Sequence, residues 1–127
     1  MAGLVALMGR YGYVGVKRVE GSPSLVMVSA ESGRPEEIES VPLTGDRVFL
    51  RMDGDFRDGK DTATFLYSLD GQAWTPIGRP LRLRYELSHF MGCRFGLFNF
   101  ATQAPGGHAD FDFFRIGDRL ASAPEPR

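Results

Sequence analysis

The sequence predicts an all-β chain folded as an antiparallel β-sandwich, and three observations carry that prediction. Short apolar or alternating runs recur from end to end, each bounded by clusters of Gly, Pro, Asp or Ser. The 127 residues include 16 Gly and 8 Pro to turn the chain, and 10 Phe to fill an interior. No segment sustains helical periodicity, and only PLRLRYELSHF (residues 80–90) is open to it. In that segment Leu83, Leu87 and Phe90 fit a helix, while Leu81, Leu83, Tyr85 and Leu87 fit a strand, so a loop with one helical turn is expected.

The elements follow in order. Leu4 to Met8 is short and apolar and reads as an opening strand. It is too short for a membrane span, and it lacks the basic leader of a signal peptide. Tyr13 to Val19 alternates Val14, Val16 and Arg18 against Tyr13, Gly15, Lys17 and Val19. Ser24 to Ser29 carries Leu25, Val26, Met27 and Val28, apolar on both faces and so expected to be covered on both. ESGRPEEIESVP, residues 31–42, reads as polar and turn-rich. Val48 to Met52 places Val48, Leu50 and Met52 on one side, and Thr62 to Leu69 does the same with Phe65, Tyr67 and Leu69. Asp70-Gly71 then offers a two-residue type I′ hairpin, which would pair Tyr67 to Leu69 with Gln72 to Trp74. Cys93 to Phe100 and Ala109 to Ile116 complete the strands. In the last of these, Phe111 and Phe113 are expected to face the core. The expected organisation is one sandwich over residues 1–118 and a Pro- and Ala-rich flexible tail over 119–127.

Composition bounds the function. Fifteen Lys and Arg stand against sixteen Asp and Glu, so no electrostatic case exists for nucleic acid or an anionic membrane as partner. Cys93 is the single cysteine and is expected to be a buried thiol; it permits neither an intrachain disulfide nor a cysteine-based zinc site. A lone thiol without a leader points to the cytoplasm.

Three motifs invite chemistry. DGDFRDGKD, from Asp53 to Asp61, packs four Asp into nine residues. Counted from Asp53 as a calcium loop, however, position five is Arg57, six is Asp58 and twelve is Thr64, so the pattern fails and a solvated hairpin loop is expected, with a looser oxygen cage for calcium as the alternative. SLDGQAW resembles the Asp-box hairpin of sialidases with one residue missing between Asp70 and Gly71; such boxes are structural turns. Trp74 could there serve as a platform for a sugar ring, against the plainer role of packing on its own hairpin. Finally, His108, Asp110 and Asp112 share one face of the closing strand. They supply at most three ligands, and carboxylates that point the same way cannot flank a glycosidic bond. They are read as structural, and an independent enzyme built on them ranks last. No phosphate loop, HExxH or GxSxG is present.

Taken together, FLYSLDGQAWTPIG, FMGCRFGLFNFAT and GGHADFDFFRI, with the opening AGLVALMGRYGYVGVKRVEG, resemble the C-terminal concanavalin A-like β-sandwich, a jelly roll, of glycoside hydrolase family 43 β-xylosidases and α-L-arabinofuranosidases. The resemblance spans Ala2 to Gly117. It implies a non-catalytic accessory module, with the catalytic carboxylates on a separate five-bladed propeller and none to be carried over here. The family sandwich has strands ahead of the Ala-Gly-Leu segment, so the resemblance implies an N-terminally incomplete sandwich, either a fragment or one completed by another chain. The expected partners are the propeller, or a second copy through exposed sheet edge. The resemblance also implies that a loop presents an aromatic side chain near the substrate, with Phe90 as the positional match and His89 its neighbour, against the plainer role of Phe90 packing under its own loop. An autonomous, lectin-like domain binding xylo-oligosaccharides through Trp74 or the aromatics near Phe90 is the alternative. No cofactor is implied.

Overall fold

The computed structural model describes residues 1–7, 10–45, 47–55, 61–83 and 94–99, together with Phe111 and Phe114. These residues form two antiparallel sheets. The strands are β1 (Ala2–Leu7), β2 (Tyr11–Val19), β3 (Ser22–Ser29), β4 (Glu36–Pro42), β5 (Phe49–Asp55), β6 (Thr62–Ser68), β7 (Thr75–Pro76), β8 (Leu81–Arg82) and β9 (Arg94–Asn99). One sheet runs β4-β3-β2-β1-β9. The other runs β5-β6-β7, with β8 also paired to β6. Among the described residues no helix occurs, and none is long and apolar enough to cross a membrane.

The two sheets close on one apolar interior. Leu4, Ala6, Val14, Leu25 and Met27 enter it from the five-stranded sheet, and Ala63, Phe65, Ile77, Leu81 and Leu83 from the other side. Alternation places them there: Leu4 stands opposite Val14, which stands opposite Met27, so the apolar side chains of three strands meet in register on one face. Val48, Leu50 and Met52 pack at the edge of the same cluster, as their spacing predicts. Leu25 to Val28 are all buried, as a strand apolar on both faces requires. Glu39 ties the layers together at one end, its Oε1 accepting a hydrogen bond from the Gly78 amide at 2.7 Å.

Four expectations are corrected. Residues 36–42, read as polar turn, form the edge strand β4. An edge strand needs only a few inward apolar side chains, and Ile38 and Val41 suffice, with a register shift at Met27/Val28 accommodating them. Glu36 and Glu37 are exposed along it and blunt the edge. The two-residue turn with positive φ at both positions occurs at Glu20-Gly21 (φ 54° and 82°), joining β2 to β3, and not at Asp70-Gly71. Leu69 lies beyond the end of β6 and is exposed. Phe111, expected in the core, is 43% exposed and lies in no strand. Period-two alternation separates two faces, but it does not place a second sheet opposite either one. Phe113, Cys93 and the rest of the 109–116 segment lie outside the described residues, as does the 119–127 tail.

Candidate functional site

Two places on the described surface gather chemistry-bearing side chains. The first is the loop from Ser68 to Trp74. β6 pairs with β7 as Tyr67↔Thr75 and Leu66↔Pro76, so the intervening loop is seven residues long. Side chains knot it. The Ser68 hydroxyl donates to Asp70 Oδ1 at 2.9 Å and accepts from the amides of Asp70 and Gly71 at 3.3 and 2.8 Å. Asp70 Oδ1 also accepts from the amides of Gln72 and Ala73, at 2.8 and 2.9 Å. These local bonds compete with a tight hairpin and win, because they satisfy four backbone donors that a two-residue turn would not use. The amides of Ala73 and Gln72, followed by the Ser68 hydroxyl, hold the exposed Asp70 carboxyl down to about 2. Asp70 is thus a fixed acceptor, spent on its own loop, and unsuited to proton transfer near neutral pH.

Trp74 ends this loop, half-buried. The Arg51 guanidinium carbon lies 5.6 Å from its ring centroid, and Arg51 Nε donates to Asp53 Oδ1 at 2.7 Å. The indole Nε1 is shut off from solvent and, among the described residues, has no hydrogen-bond partner. One face of the ring therefore carries a cation in place of a sugar. An open cleft of about 340 Å³ runs alongside, lined by Tyr67, Leu69 and Ala73 among others.

The second place is the outer face of the five-stranded sheet. Val5, Tyr11, Tyr13, Pro35 and Phe98 line an open groove of about 460 Å³. Tyr13 and Phe98 pack edge to face, with centroids 4.8 Å apart and planes at 65°. Burial, then the nearby Tyr11 and Glu37, push the Tyr13 hydroxyl above its usual range. Lys17 and Glu37 pair at 3.0 Å across the same face. The sequence reading missed this groove. Its signal was Tyr11 and Tyr13 on the outward face of a strand whose inward face was already apolar.

The family model for the β-xylosidase C-terminal concanavalin A-like domain of glycoside hydrolase family 43 matches residues 1–117. The chain belongs to that family. Among solved structures, it is similar to a bifunctional GH43-CE protein of Bacteroides eggerthii, with 46% identity and a TM-score of 0.79 over 84% of this chain and 14% of the other. It is also similar to a GH43 glycoside hydrolase whose engineered active site displays both endo-xylanase and exo-arabinofuranosidase activity. There the identity is 29% and the TM-score 0.74, over 81% of this chain and 23% of the other. No curated protein matches. The chain thus corresponds to a small fraction of these GH43 enzymes, the part the family model calls C-terminal.

Of the residues singled out from sequence, Trp74 is placed by the structure as described. His89, Phe90, His108, Asp110 and Asp112 lie outside the described residues. Of the acidic loop, residues 56–60 lie outside as well, and Asp53 is occupied by Arg51. Among the described residues, no three His, Cys, Asp or Glu side chains are grouped to hold a metal ion.

Proposed function

We propose that this GH43 C-terminal domain is a non-catalytic accessory module of a xylan- or arabinoxylan-degrading glycosidase. It stabilises the catalytic domain and shapes the substrate pocket. The observation that carries the reading is the family match over residues 1–117 to a domain that makes up a small part of far longer enzymes. The chemistry of the described residues supports it: the one strongly shifted acid, Asp70, is committed to four polar partners of its own loop. In this proposal Phe90, with His89 beside it, is the side chain presented toward the sugar. Phe90 stands four residues ahead of β9, and four residues of chain reach at most about 14 Å from Arg94.

An autonomous sugar-binding role through Trp74 is the weaker reading, because Arg51 covers a face that a pyranose would need. The test uses the Bacteroides eggerthii relative with its own homologous domain deleted, or replaced by this chain. The replacement is expected to restore resistance to heat inactivation, and Phe90→Ala in it to raise KM for the relative's glycoside substrate. A replacement no better than the deletion contradicts the reading.

A further inference from the structure

We propose that the groove on the outer face of the five-stranded sheet, over β1, β2 and β9, is the surface on which the catalytic domain of the glycosidase is seated. The inference rests on the accessory reading above and assigns it a face.

The groove follows from the register. Gly3 stands opposite Gly15 and opposite Phe98, and Val5 stands opposite Tyr13 and Gly96. Alternation sends these positions away from the interior that Leu4 and Ala6 enter. Glycines therefore floor the groove, and Val5, Tyr11, Tyr13 and Phe98 wall it. Among the described residues, a Cβ built on Gly96 meets nothing within 4 Å, so none of them fills the floor there. Leu7, on the same face beside Tyr11, is 47% exposed and extends the apolar strip toward the start of β9. At the rim, Lys17 and Glu37 neutralise one another. An apolar, aromatic centre with a polar, charge-balanced rim is the anatomy of a protein–protein interface.

A sugar fits less well. Pyranose sites combine open ring faces with convergent hydrogen-bonding groups. Here Tyr13 and Phe98 are engaged edge to face, and the polar groups of the lining side chains are the two tyrosine hydroxyls. One observation commits the occupant to the catalytic domain: the homologous domains sit in chains of which this one spans 14% and 23%.

Gly96→Glu tests the face, since its side chain enters open space in the lone domain but blocks the groove. In the isolated chain it should leave the melting temperature within about 2 °C of the parent, as exposed substitutions do. In the Bacteroides eggerthii relative carrying this chain in place of its own homologous domain, the parent sequence should unfold with the GH43 catalytic domain in one calorimetric transition, and Gly96→Glu should split that transition in two. Leu7→Lys, at an exposed position of the same strip, should do likewise if Gly96→Glu disturbs the lone chain. A single unsplit transition for both variants overturns the face and leaves the accessory reading standing. Two independent transitions with the parent sequence overturn both. Saturable binding of xylohexaose to the isolated chain, lost in Gly96→Glu, would give the groove to an oligosaccharide and overturn the proposal. A dimer of the isolated chain dispersed by the same substitution would give it to a second copy, with the same consequence.

Discussion

Phe65→Ala, set against Phe111→Ala, separates the interior seen in the structure from the one that alternation alone suggests. Phe65 is fully buried on β6, opposite Met52, within the cluster that includes Met27, Ile77 and Leu81. Returning a buried phenylalanine side chain to water costs about 1.5–3 kcal/mol in transfer. A rigid two-sheet interior cannot collapse fully on the void, which brings the total to about 3–5 kcal/mol. Phe111 is 43% exposed and outside every strand, so its truncation should cost less than about 1 kcal/mol. Urea unfolding of both variants, followed by circular dichroism and by the fluorescence of Trp74, reads the difference directly. A domain of ordinary stability, about 5–15 kcal/mol, survives the smaller loss with ease and the larger one narrowly. Phe65→Leu, at about 1–1.5 kcal/mol, keeps the comparison measurable if Phe65→Ala fails to fold. Equal losses at the two positions, or a larger one at Phe111, would refute the placement of the core.

Gly78→Ala should cost about 2–4 kcal/mol in the same melts, because Gly78 holds φ at +75° and an added methyl would collide with the Met27 side chain. The Asp70 carboxyl titrates near 2 against an ordinary value of 3.8, so its contribution is complete above about pH 4 and is lost as pH falls through 2. The amide signals of Gln72 and Ala73 should follow that titration, and Asp70→Asn should abolish it. Lys17→Ala should change stability by less than about 1 kcal/mol, since its ion pair with Glu37 is solvent-exposed, and the small effect should shrink further in high salt.

The sandwich was legible in the sequence wherever both requirements of a strand were written locally. β2, β3, β5 and β6 show period-two alternation or a doubly apolar run, and all four form close to where their patterns place them. β4 was not legible because an edge strand buries so little: Ile38 and Val41 among glutamates and Pro42 look like turn chemistry. The loop after β6 misled for a different reason. Asp-Gly favours a tight turn by backbone conformation, but the hydroxyl of Ser68, two residues ahead, donates to the Asp70 carboxylate and accepts from the Gly71 amide, which stabilises a longer loop. That Ser-x-Asp spacing was visible as an incomplete Asp-box, and its structural meaning was the correct part of the reading. The Glu20-Gly21 turn escaped because Glu carries no preference for positive φ; the pairing of Val19 with Ser22 imposes it.

The family was carried by motif order across the whole chain, and the match over residues 1–117 establishes it. The outer groove could not have been read from any one segment. It exists because β1 is flanked by β2 on one side and β9 on the other, which brings Tyr13 and Phe98 together from positions 85 residues apart in the chain. Long-range pairing of that kind leaves no local pattern; only the outward tyrosines of β2 hinted at it.

As the accessory module proposed above, this chain would perform no hydrolysis by itself. The most direct test is the rate at which the purified chain releases nitrophenol from nitrophenyl β-xyloside and nitrophenyl arabinofuranoside. The account predicts a rate indistinguishable from buffer at every protein concentration. A rate that rises in proportion to the chain and disappears in Asp110→Asn would contradict it.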